Sequence, residues 1–246
     1  MNKTKLDLSS AFLHILAMAL MLCDHLWATV VPGNDWMTCV GRIAYPIFAF
    51  MVVEGYFHTR NLRKYALRLL LFAVISEVPF NLMCVSSPIY PFHQNVLWTF
   101  LIGLGMIHLN EKARLREKVW LRVLTAAGTL MLGSLLGIVS FADYNSAGVL
   151  MILLFYFFRG RSWPMLVLQA LGMYYINFEM MKGLSYEVVL FGSTRFLPQQ
   201  GFAVLSLIPI WLYRGRQGFH APWFRQLCYW FYPVHMLLLW LIRYLA

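Results

Sequence analysis

At 246 residues, 61% hydrophobic and only 12% charged, the chain is far more apolar than a soluble domain, about a quarter of which is charged. This excludes a soluble globular enzyme and points to a polytopic integral membrane protein. The formal net charge of +10 is spread over short connecting loops rather than gathered in one groove, which argues against a nucleic-acid partner and for cations retained on one side of a bilayer.

The polar segment Met1 to Ser10 leads into the apolar run Leu13 to Val31 with no small-residue cleavage site, so the first span is expected to be retained. At about 20 residues per crossing, apolar segments near 11–31, 36–57, 62–84, 95–110, 119–140, 146–158, 163–181, 198–213 and 224–245 predict nine helices, within a range of eight to ten. The expected fold is all-α, a single transmembrane bundle over residues 1–246 with no soluble domain or linker. A short re-entrant piece could lie between Leu184 and Phe196. Pro46, Pro79, Pro209 and Pro233 fall within these spans and are expected to kink them. The four cysteines, Cys23, Cys39, Cys84 and Cys228, have no ligand-like spacing, and no metal centre is expected.

When loops are assigned to alternate sides, one side receives sixteen Lys and Arg and the other only Arg42, Lys182, Arg195 and Arg243. The excess places the N-terminus in the cytoplasm and, with nine spans, the C-terminus outside.

Asp24 and His25 interrupt the first span, and an ionisable pair at membrane depth is costly unless paired or hydrated. Eleven steps of roughly 100° return His14 to within about 20° of the face of His25, so one stripe carries an imidazole at either end. Depth counting places Arg42, Glu77, Asn81, Gln94, Asn95, Asp143 and Asn145 in the same outer layer as His25, the composition of an outward-opening polar pocket. His235, near the middle of the last span, is either a packing residue or a second group lining that pocket. Glu54, His58, Arg60, Asn61, Lys64 and Arg68 surround the opposite, cytoplasmic turn. They are either topological anchors or a cradle for the phosphates of a cytosolic ligand.

Five words of sequence now stand together: Met21-Leu22-Cys23-Asp24-His25, Gly41 to Phe50 (GRIAYPIFAF), Gln94-Asn95-Val96-Leu97, Tyr144-Asn145-Ser146-Ala147-Gly148 and Phe231-Tyr232-Pro233-Val234-His235. In order and spacing they resemble the TraX family, named for an enzyme that acetylates the N-terminus of conjugative pilin, and more distantly the integral-membrane acyltransferases. The resemblance runs from the first span to the last. It implies transfer of an acetyl group from acetyl-CoA to an acceptor amine or hydroxyl. Related acyltransferases place a basic residue before a catalytic histidine with ten residues between them, a spacing that His14 and His25 keep, although His14 stands where Arg or Lys is typical.

On that resemblance, His25 would act as general base or brief acetyl carrier, Asp24 would orient its ring, and Arg42 would stabilise oxyanion charge. Glu77, Asn81, Gln94, Asn95, Asp143, Asn145 and His235 would shape the acceptor pocket. His14, Glu54, His58, Arg60, Lys64 and Arg68 would hold CoA. The acceptor, whether a pilin-like peptide, a glycan or a lipid head group, is left open, and membrane lipids are the other partner. Two further readings stand beside the enzyme: a proton-coupled transporter using Asp24, Glu54 and Glu77, and a non-catalytic subunit of envelope or pilus assembly.

Overall fold

The computed structural model describes residues 7–116, 118–181, 183–190, 192–219 and 221–245. Lys3, Lys5 and Lys182 of the charge count lie outside the described residues. The first helix, α1 (Ser10–Thr29), begins where the Ser9 hydroxyl accepts a hydrogen bond from the Phe12 N–H at 3.2 Å, satisfying one of the donors a helix start leaves free. The second expected span is two helices, α2 (Asp35–Gly41) and α3 (Ala44–His58), separated at Arg42 and Ile43. Pro46 falls in the first turn of α3, where its missing N–H removes no helical bond, so it does not kink that helix.

Asn61 and Asn95 cap α4 (Leu62–Val85) and α5 (Val96–Arg114), accepting from the Lys64 N–H at 2.9 Å and the Leu97 N–H at 3.1 Å. Pro79 and Pro233 lie inside α4 and α10. Then follow α6 (Val119–Val139), α7 (Asn145–Phe157) and α8 (Trp163–Tyr174), which widens into a π-helical turn over Tyr175–Met180. The stretch read as a re-entrant piece is an antiparallel hairpin, β1 (Ser185–Leu190) and β2 (Ser193–Pro198). A 3-10 segment (Gln199–Ser206), α9 (Leu207–Leu212) and α10 (Pro222–Leu245) complete the fold.

The chain is therefore predominantly α-helical, and four helical segments, Ser10–Thr29, Asp35–His58, Leu62–Val85 and Val119–Val139, are long and apolar enough to cross a membrane. Burial sorts the helices. Val149, Met151, Ile152 and Leu153 of α7 are inaccessible, and a helix apolar and covered on all sides is an inner one. Met131, Leu135 and Val139 of α6 are exposed, as expected of a face turned to hydrocarbon. Buried amides bridge neighbours, as where Asn110 donates to Thr129 Oγ1 at 2.7 Å between α5 and α6.

Two backbone bonds set the level of the site. Ser10 N donates to Arg216 O at 2.8 Å and Ala11 N to Gln217 O at 3.2 Å, so α1 and α10 start from the same end. His25 lies fifteen residues beyond Ser10 and His235 thirteen beyond Pro222. Equal rise per residue brings both rings to one depth.

Candidate active site

At the far end of α1, adjacent side chains diverge by about 100°. Asp24 turns to α2, where its Oδ1 accepts from Thr38 Oγ1 at 2.6 Å and lies 3.3 Å from Arg42 Nη2. Arg42 also donates to Thr38 Oγ1 at 3.0 Å, closing a three-membered network around a threonine that is fully buried. Gly41 makes the approach possible, since a Cβ there would lie 2.9 Å from Asp24 Cγ. The Tyr144 hydroxyl meets the same guanidinium from the α6–α7 loop, and its ring stacks on Tyr45 with centroids 3.9 Å apart.

His25 turns instead to α10. Its Nδ1 lies 2.7 Å from His235 Nε2, and His235 Nδ1 lies 2.6 Å from the Phe231 carbonyl. The ring partner of His25 is thus His235 and not Asp24, whose carboxylate is taken up by Thr38 and Arg42. His235 is 5% exposed, while His25 remains partly accessible. Arg42 is near enough to act on His25 through space.

Glu77 on α4 holds the start of α5. Its Oε1 accepts from Asn95 N at 3.2 Å, from Trp98 Nε1 at 2.7 Å and from the Asn95 side-chain amide. Asn95 also donates to the Ala73 carbonyl at 2.8 Å. On the same turns of α4, Ser76 Oγ, Glu77 Oε2 and Asn81 Oδ1 are buried without a partner among the described residues. Gln94 and Asp143 meet through the backbone, with Gln94 N donating to Phe141 O at 2.8 Å and Asp143 N to Gln94 O at 2.9 Å. Asn145, exposed and at φ 47°, serves the turn into α7. His93, in the loop outside the spanning helices, lies 3.4 Å from Asp143 Oδ1, and that hydrogen bond raises its pKa above the ordinary imidazole value against the opposing effect of burial.

The six residues assigned to the other end do not form one cluster. His14 Nδ1 donates to the Ser10 carbonyl of its own helix at 2.9 Å. Glu54 is paired with Arg159 at 2.7 Å, and His58 Nδ1 bonds back to the Glu54 carbonyl at 2.9 Å. Arg60 and Lys64 are exposed. Arg68 alone lines a cavity of about 340 Å³ between α4 and α10, with Arg225, Gln226, Tyr229 and Trp230. Its Nε is buried without a partner among the described residues, and its guanidinium lies 6.0 Å from the Tyr229 centroid.

A family model described as TraX protein matches residues 9–243. The chain belongs to the TraX family. A curated relative, the probable fimbrial assembly protein FimC of serogroup H1 from Dichelobacter nodosus, is 28% identical over 258 aligned residues, covering 95% of each chain. No solved structure matches.

The TraX match spans every residue singled out above, from His14 to His235. Thr38 and Tyr144 join the Asp24–Arg42 network, with Tyr45 stacked on Tyr144, and Arg225 joins Arg68, although none of them stood out as a site residue in the sequence. Thr38 is a single residue of a type common in spans, and Arg225 counted only as a loop cation. For Tyr45 and Tyr144 a signal was present, since each stands in one of the family words.

Proposed function

We propose that this TraX-family chain is an integral membrane acetyltransferase that moves the acetyl group of acetyl-CoA to an acceptor amine or hydroxyl. The observation that carries the reading is the meeting of His25, His235 and the Arg42–Asp24–Thr38 network at one level, with the Arg68–Arg225 cavity lower down, between α4 and the α10 that also carries His235. From Arg225 to His235 is ten residues of α10, about 15 Å at roughly 1.5 Å per residue. That length suits an extended pantetheine arm anchored by its phosphates.

Acetyl-CoA supplies an acetyl thioester. Two guanidiniums, one with an unsatisfied buried Nε, offer the donors that phosphate oxygens take up. His25 removes the proton from the acceptor as its nitrogen or oxygen bonds to the acetyl carbon, and passes that proton to the departing thiolate sulfur. Arg42 stabilises the charge that develops on the carbonyl oxygen, held in place by Asp24 and Thr38. The unpartnered Ser76, Glu77 and Asn81 oxygens are groups an acceptor can satisfy. Because the Dichelobacter relative is named for fimbrial assembly, the amine of a pilin-like subunit is the acceptor we place first.

We further infer about nine membrane crossings in a bacterial inner membrane, with the Arg68 end in the cytoplasm and His25 in the outer leaflet. The relative's name also favours a second reading, a non-catalytic assembly subunit. Purified protein incubated with acetyl-labelled CoA and a panel of peptide amines, glycans and lipid head groups separates the two. The enzyme yields a labelled acceptor; absence of label from every acceptor class favours the assembly subunit.

A further inference from the structure

We propose that His235 is a positioning residue that fixes the proton of His25 on Nδ1, leaving His25 Nε2 as the bare, base-competent nitrogen. The inference rests on the acetyl-transfer reading for its meaning but not for its geometry. A carbonyl oxygen only accepts, so the 2.6 Å contact with Phe231 O requires a proton on His235 Nδ1. An ionised ring at this depth would be a buried charge, and Asp24, the adjacent carboxylate, is bound to Thr38 and Arg42 instead. The neutral His235 ring therefore presents a lone pair at Nε2.

Two nitrogens 2.7 Å apart share one proton, and it belongs to His25 Nδ1. The rings, 10° from coplanar with centroids 4.9 Å apart, are separated by close to the N···N distance plus two ring radii. They meet edge to edge, as an N–H···N bond requires, rather than face on face. The result is a directed chain from His25 through His235 to the Phe231 carbonyl. Its outer end, His25 Nε2, has no hydrogen-bond partner among the described residues. When His25 takes the acceptor's proton on Nε2, Nδ1 keeps its own and the bond to His235 strengthens, so positive charge on His25 is stabilised without moving a second proton. The arrangement does for this histidine what a carboxylate does where one orients a catalytic imidazole.

Nitrogen-15 NMR of the full chain in detergent, labelled at histidine and assigned with His25→Gln, reads the tautomer directly. The expected spectrum has His25 as the Nδ1–H form, converted to a mixture or to Nε2–H in His235→Leu. Turnover in that variant should fall roughly 100-fold or more, the scale on which a general base acts. His235→Gln restores an acceptor oxygen where Nε2 stood and should recover both the signal and most of the rate. His235→Asn, too short to reach, should recover neither. Wild-type His25 in the Nε2–H form, or an unchanged tautomer and rate in His235→Leu, would overturn the proposal. The NMR arm needs no turnover. An Nδ1–H signal dependent on His235 in a protein that transfers no acetyl group would uphold the dyad and sink the enzyme reading, and transfer by an Nε2–H His25 would do the reverse.

Discussion

Which nitrogen of His25 is bare decides what that residue can do, and the answer comes from a side chain 210 positions away. That is why the sequence marked His25 through the cost of an imidazole in an apolar run, while the family resemblance assigned the orienting of its ring to Asp24, the nearest acid in the chain. Adjacency on a helix separates side chains, and Asp24 went to Thr38 and Arg42. His93 provides a test of electrostatics at the rim. Its pKa is raised in the fold chiefly by the Asp143 hydrogen bond, so the clamp between the 86–95 and 140–145 loops contributes stability fully below the ordinary imidazole value of about 6.5 and loses it as pH rises through the raised folded value. Thermal unfolding should show a gain on the acid side of that window. The His93 side chain is 42% exposed, so the gain is held to about 2–4 °C at most. His93→Gln should flatten it. A gain that survives the substitution would assign it elsewhere.

Elements are held in register by single side chains that do two tasks. Asn95 caps α5 and, with Trp98, ties that helix to Glu77 of α4. Asn95→Ala removes the cap and two side-chain bonds and should cost about 1–3 kcal/mol, read as a lowered melting temperature in detergent. Unchanged melting would mean that the Asn95 side chain adds nothing to the α4–α5 joint beyond what Trp98, the backbone bond to Glu77 and apolar packing supply. The Glu77–Asn95 pair was legible as two polar residues at one depth, because depth follows from counting. Where element types were misread, local chemistry outweighed the apolar average. The strands are rich in Tyr, Val, Thr and Phe and flank Gly192 at φ 77°, a composition and turn signal that suit a hairpin better than a re-entrant piece. The second span breaks at Arg42 because Gly41 must approach Asp24 and Pro46 restarts the helix.

The whole molecule separates a polar level at His25 from a basic end at Arg68. All nine apolar segments contain helix, and four helical segments are long and apolar enough to cross a membrane. The chemistry of the Arg68 end was less legible: Glu54, His58 and His14 are engaged locally, and Arg68 opens onto a cavity in company with Arg225. Arg68→Gln combined with Arg225→Gln should therefore raise the KM for acetyl-CoA by about 10-fold or more with kcat nearly unchanged. An unaltered KM would return both arginines to topology alone. The account stands most directly on His25. In proteoliposomes of matched protein content, with acetyl-CoA supplied to the Arg68 side, mass spectrometry of the acceptor should register the added acetyl group with the native chain and none above background with His25→Ala. Equal acetylation by the two proteins would contradict it.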